Sequence, residues 1–229
     1  MKFGIITFPG SNCDQDMHYV LGDIYKEEVV SIWHKDTDLK GVDMVILPGG
    51  FSYGDYLRSG AIAKFSPIMN EVVRHAQNGG YVFGICNGFQ VLTECGLLEG
   101  ALLHNINQKF ICKNINLVPA SKTAPICMGL KEKEVLKIPI AHGEGRYYAS
   151  KETIDSLNDN DQVLFKYSNE KAEATETYNP NGSMQNIAGI TNKSKNVFGM
   201  MPHPERAADG LLNNQDGCKI FDSILTYCS

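Results

Sequence analysis

"YVFGICNGFQ", residues 81–90, carries the strongest indication of architecture in the chain. An apolar run enters a cysteine flanked by glycines, Gly84-Ile85-Cys86-Asn87-Gly88, and residues 87–95 continue as a helical pattern. Strand, sharp turn and helix, with a nucleophile at the turn, make G-x-C-x-G the thiol version of the nucleophile elbow: its glycines permit a tight bend and close approach by neighbouring segments. In open α/β sheets such a turn falls beyond the carboxyl end of a strand, where ligands bind. Partial positive charge at a helix N-terminus favours a thiolate, so Cys86 is the candidate nucleophile.

Outward from the elbow, strands are expected at 2–8, 28–33 and 43–48 besides 81–85, with helices at 14–22 and 66–78. In the second helix Ile68, Val72 and Ala76 recur at i, i+4 spacing. Near-continuous apolar strands linked by helices indicate an α/β fold with a doubly wound, mostly parallel sheet flanked by helices. The second half is strand-like at 109–119, 134–141, 162–168, 186–191 and 196–202, with helices only at 150–159 and from about Gln215. Those strands are expected as antiparallel additions to one edge. "YNPNGS" (178–183) carries the Asn-Pro and Asn-Gly pairs of a tight connection between strands. Without repeat, linker or low-complexity tract, residues 1–229 read as one domain.

The formal net charge of -5, with no Lys/Arg block, argues against nucleic acid and anionic membrane as partners. "MKFGIITFPG" enters a strand directly rather than a signal-peptide core, and no apolar stretch approaches the ~18 residues of a membrane span. The seven cysteines include no CxxC pair, which fits neither a disulfide framework nor a zinc site and suits a reducing, cytoplasmic setting. Six of them read as packing residues. Cys13, just after the first strand in "FPGSNCDQD", could lie near the ligand edge.

A thiolate that attacks a carbonyl needs donors for the developing oxyanion. The backbone N–H of Asn87 is one candidate, and the Gly-Gly pair of "ILPGGFSYGD" (46–55) offers another. The nucleophile also needs a proton carrier, usually His held by a third group. Two histidines have an acid two positions on: His142 with Glu144, and His203 with Glu205. Pro202 and Pro204 stiffen the backbone around His203, whereas Gly143 and Gly145 loosen it around His142, so rigidity favours His203 without closing the contest. His18, His34, His75 and His104 read as ordinary surface or core residues.

"PGG" (48–50), "GICNGFQ" (84–90) and "HPE" (203–205), in that order, resemble class I glutamine amidotransferases. The wider class often has Leu after the cysteine; here it is Asn87. With "FPGSNCDQD", "GGFSYGDYLRSGAIA", "AHGEGRY", "NPNGS" and "MPHPERA", the likeness covers essentially the whole chain and narrows to stand-alone glutaminase subunits that serve a separate synthetase. It implies a flavodoxin-like fold, a triad of Cys86, His203 and Glu205, and oxyanion donors at Gly50 and Asn87. It further implies substrate recognition by Gln90, with His142 and Arg146 in substrate approach or partner coupling. Glutamine would be hydrolysed and its ammonia passed to the synthetase subunit, where ATP and Mg²⁺ drive conversion of formylglycinamide ribonucleotide to the amidine. This chain would bind no cofactor itself, in keeping with the absence of a G-x-x-x-x-G-K-[ST] loop. A third small subunit would complete the assembly. Two rivals are a γ-glutamyl hydrolase or peptidase on the same scaffold, and a non-enzymatic thiol sensor using Cys86. The subunit-specific stretches argue against the first and HPE against the second.

Overall fold

The runs β1 (Lys2–Thr7), β2 (Glu28–Trp33), β3 (Met44–Leu47) and β4 (Tyr81–Ile85) pair in parallel, in the order β2-β1-β3-β4. This computed structural model describes residues 1–228. Every residue of β3 is buried, as a strand covered on both faces must be. Helix α1 (Asp14–His18) does not continue to residue 22 as expected; it widens at Tyr19 into a π turn, where Tyr25 N–H reaches back to the Val20 carbonyl. Helix α2 (Pro67–Gln77) opens on proline, whose missing N–H costs nothing at that position, and buries Ile68, Met69, Val72 and Ala76.

Past the elbow helix α3 (Asn87–Glu94), the remaining strands are β5 (Ala101–Leu103), β6 (Ile111–Pro119), β7 (Leu136–His142), β8 (Arg146–Tyr148), β9 (Val163–Ser168), β10 (Ile187–Thr191) and β11 (Val197–Met200). The expectation that second-half strands are all antiparallel additions needs correction. β11 pairs parallel to β4 and belongs to the parallel core; β10, β9, β6 and β7 then extend the sheet antiparallel from it. All four residues of β11 are buried, which suits a central position. β5 and β8 form a separate small sheet, with strands too short for periodicity to reveal.

Three helices complete the chain: α4 (Pro125–Met128), not anticipated, α5 (Lys151–Asp159) and α6 (Cys218–Tyr227). Ser150 caps α5 by accepting the Thr153 N–H at 3.2 Å. Residues 178–183 do not form a tight hairpin. They belong to a longer excursion between β9 and β10, in which Asn179 Oδ1 accepts the N–H groups of Gly182 and Ser183 at 2.9 and 3.2 Å.

The chain leaves β1 toward β2 on one side and returns to β3 on the other, which opens a crevice at the carboxyl ends of β1 and β3. The two loops bordering it touch through a Ser11–Gly50 bridge and a 2.8 Å bond from Phe51 N–H to the Gly10 carbonyl. Helix α3 leaves β4 so closely against β3 that a methyl at Gly88 would lie 1.9 Å from the Leu47 carbonyl oxygen. Gly88→Ala is therefore expected to lose about 3 kcal/mol or more, at the severe end of overpacking. A denaturant midpoint equal to that of the unmodified chain would contradict this close approach.

Candidate active site

Cys86 directly follows β4 with φ +51° and ψ -105°, a conformation that non-glycine residues rarely adopt. Such strain costs about 1–3 kcal/mol and persists where the surroundings over-determine it. Here the Cys86 N–H is held by the Met200 carbonyl at 2.8 Å, and the Cys86 carbonyl accepts the Gln90 N–H of the first turn of α3 at 3.1 Å. The turn leaves the sulfur lining two cavities, of about 150 and 120 Å³, that meet at Gly50, Phe51 and Cys86.

Both expected oxyanion donors have their backbone amides at hand. Asn87 is the first residue of α3, so its N–H has no intrahelical acceptor. Among the described residues no carbonyl takes up the Gly50 N–H. Gly50 has φ +145°, and an added methyl would fall 2.8 Å from the Asn12 nitrogen and the Gly10 oxygen, so its place beside the β1 loop requires glycine.

Parallel pairing of β4 with β11 delivers His203 to the same sheet edge, since Met200 stands opposite Ile85. His203 Nδ1 lies 2.7 Å from Glu205 Oε1, and both side chains are buried. The couple does not arise from the extended i, i+2 geometry assumed from sequence. The chain bends at His203 into a 3-10 turn, Pro204–Ala207, which swings Glu205 back onto the imidazole. Burial by itself would strip the imidazole of its proton. The charges of Glu205 and then Cys86 outweigh burial and hold the His203 pKa well above the usual histidine range.

The rival pair separates. His142 ends β7, and Glu144, past a bend, turns to His104 Nε2 at 3.5 Å and to Ser59 N–H at 3.4 Å. His142 Nδ1 instead faces Asn105 Oδ1 at 3.0 Å. The Asn105 amide nitrogen donates to two carbonyls, so Oδ1 is its acceptor and His142 carries its proton on Nδ1. Burial, with His203 nearby, pushes the His142 pKa down to about 4. His142 is thus a neutral, buried ring that lines the larger cavity, its Nε2 without a partner among the described residues.

Gln90 is buried rather than a surface helix residue. Its Nε2 donates to the Glu144 carbonyl at 2.6 Å and its Oε1 accepts from Asn87 Nδ2 at 2.9 Å. Arg146 does not reach the cavity as expected of a substrate-approach residue; its Nε donates to the His104 carbonyl at 3.0 Å and secures that loop. His104, expected to be an ordinary surface or core residue, lines the larger cavity with Asp55, Ser59 and Glu144. No local pattern marked these residues, because loops distant in sequence supply them. Cys13 packs beneath His203, with Arg206 Nη2 donating to its sulfur at 3.2 Å. Burial pushes the Cys13 thiol up although His203 pulls it down.

The Cys13, His203 and Glu205 ligand atoms lie within 4.8 Å of one another, close enough to hold a metal ion. His203 Nδ1 and Glu205 Oε1 are joined by their hydrogen bond and Arg206 donates to the Cys13 sulfur, while His203 Nε2 and Glu205 Oε2 have no partner among the described residues.

A cysteine elbow and a buried His–Glu pair meeting at the carboxyl edge of a doubly wound sheet define a class, the glutamine amidotransferases of class I, and residues 1–228 match the family model for the CobB/CobQ-like glutamine amidotransferase domain. Within that class the chain belongs to the PurQ family. It is 57% identical to "Phosphoribosylformylglycinamidine synthase subunit PurQ" of Synechocystis, over 97% of this chain and 99% of that protein. The Koribacter versatilis protein of the same name is 52% identical over 98% of this chain and 97% of its own length. The structure superposes on a chain of "PurLQS from Thermotoga maritima" with a TM-score of 0.88 at 42% identity, covering 100% of this chain and 99% of that one.

Proposed function

We propose that this chain is the glutaminase subunit of a phosphoribosylformylglycinamidine synthase in purine biosynthesis. The observation that carries the reading is Cys86 on its strained elbow, sharing one sheet edge with a His203–Glu205 pair joined at 2.7 Å. The Cys86 thiolate attacks the side-chain amide of glutamine, and the Gly50 and Asn87 amides receive the oxyanion. His203, protonated and held by Glu205, gives its proton to the departing nitrogen, leaving ammonia and a γ-glutamyl thioester. His203 then takes a proton from water, which attacks the thioester and releases glutamate and the thiolate. Ammonia passes to a PurL-type synthetase, where ATP and Mg²⁺ convert formylglycinamide ribonucleotide (FGAR) to formylglycinamidine ribonucleotide (FGAM); a small PurS-type subunit completes the complex. All seven cysteines are free, which supports a cytoplasmic setting. Among the described residues no helix is long and apolar enough to cross a membrane.

Reconstitution tests the reading. The chain is expected to convert a synthetase that uses ammonia into one that uses glutamine, with little glutaminase activity alone. Full-rate glutamine hydrolysis to free ammonia, whether or not the synthetase is present, would instead identify a γ-glutamyl hydrolase.

The mouth of the site also fits a docked partner. Phe51 and Phe110 flank the cavities with ring centroids 6.3 Å apart, and Tyr56 and Leu57 follow on the same loop, 73% and 87% exposed. Large apolar side chains this exposed beside a reactive centre mark an interaction surface. Leu57 has φ +70°, which aspartate tolerates better than leucine. Leu57→Asp is expected to keep or raise thermal stability while weakening binding to the synthetase about tenfold or more, read by titration of complex formation. Unchanged affinity would remove this loop from the interface.

A further inference from the structure

Cys86 lies between two unlike environments. One cavity continues past His203 to Cys13 and Arg206; the other continues past Gln90 to Asp55, Glu144 and His142. A glutamine whose carboxamide carbon meets Cys86 and whose nitrogen faces His203 extends its amino-acid end toward the second. We propose that Asp55, assisted by Glu144, is the subsite for the α-ammonium group of the substrate amino acid. This rests on the glutaminase reading above and deepens it.

Three observations carry the assignment. First, the acidic cavity offers acceptors without a matching cation. Asp55 meets Asn87 Nδ2 at 3.5 Å and Ser59, with the Glu144 carboxylate nearby, while Glu144 faces His104 and the Ser59 amide. Arg58 is turned away into a bidentate pair with Glu94 at 2.6 and 2.8 Å, and Arg146 is held by the His104 carbonyl at 3.0 Å. His142, whose buried Nε2 has no partner among the described residues, lines the same cavity. An ammonium group supplies three N–H donors and a positive charge, matching both deficits.

Second, the backbone strains to keep Asp55 in place. Tyr53, Asp55 and Leu57 have φ of +54°, +53° and +70°, and strain of this kind clusters at ligand clamps. Third, Asn87 couples this loop to the elbow. Its Oδ1 accepts the Ser52 N–H at 3.1 Å, and its Nδ2 serves Gln90 Oε1 at 2.9 Å as well as Asp55. Burial and the neighbouring Glu144 charge push the Asp55 carboxyl up to about 6, a penalty that a bound cation would relieve.

The test compares glutamine with glutaramate, the same molecule without its α-amino group, on the reconstituted complex with glutamine-side turnover followed directly. The unmodified chain is expected to prefer glutamine by about 100-fold or more in kcat/KM, and Asp55→Asn to reduce that preference below about tenfold, mainly through KM. Glu144→Gln is expected to reduce it less. If glutaramate turns over too slowly, its competitive inhibition constant against glutamine supplies the same comparison. Asp55→Asn lowering both compounds equally, or leaving the preference intact, overturns the assignment; so does loss of the preference in Glu144→Gln alone. An unmodified complex that hydrolyses no glutamine sinks the glutaminase reading itself, a result distinct from these.

Discussion

Replacing Cys86 with alanine is expected to abolish glutamine-dependent FGAM synthesis, by about 10⁴-fold or more, while synthesis from added ammonium salt continues on the synthetase. In the proposed mechanism the Cys86 sulfur forms the thioester, and no other thiol takes its place. Cys13, the nearest alternative, lies beneath the imidazole with Arg206 on its sulfur rather than on a strained elbow between two backbone donors. Mass spectrometry of the unmodified chain quenched during turnover should find the γ-glutamyl adduct on Cys86. An alanine variant that still consumes glutamine would end the nucleophile assignment.

His203→Ala is expected to lower glutamine turnover about 10³–10⁴-fold, against less than about 30-fold for His142→Ala. The difference follows from protonation. His203 carries a proton that Glu205 and Cys86 stabilise, so it can protonate departing ammonia; His142, held down to about 4, is neutral across the working range. A raised His203 pKa keeps the acid form present at neutral pH and loses it as pH climbs, so turnover should fall on the alkaline side. Glu205→Gln removes the carboxylate charge, lowers the His203 pKa, and should shift that alkaline limb to lower pH. Loss confined to His142→Ala, or an alkaline limb that Glu205→Gln leaves in place, would reject this proton path.

The elbow and most core strands were legible because they are local. Gly84, Cys86 and Gly88 lie within one turn, and the apolar runs of β1, β3 and β4 announce burial without tertiary context. The placement of β11 was not. Its burial pattern states that it is internal, but only partner competition at the β4 edge makes it parallel rather than part of the antiparallel extension. The expected turn at 178–183 failed for a related reason: Asn179 satisfies its own loop's amides, stabilising a wider excursion than the Asn-Gly pair suggests. His142 and Glu144 satisfied the same sequence criterion as His203 and Glu205, yet a bend sends one acid away and a 3-10 turn brings the other back.

Residues close along the chain were enough to single out the candidate nucleophile, the glycine-bounded turn that presents it, and the α/β class. Tertiary packing decided which histidine meets its acid, that Gln90 is buried, that Arg146 braces a loop, and that Asp55, His104 and Glu144 share the larger cavity beside Cys86. These are meetings of loops from different strand ends. Sheet order, rather than sequence spacing, sets the distances between them.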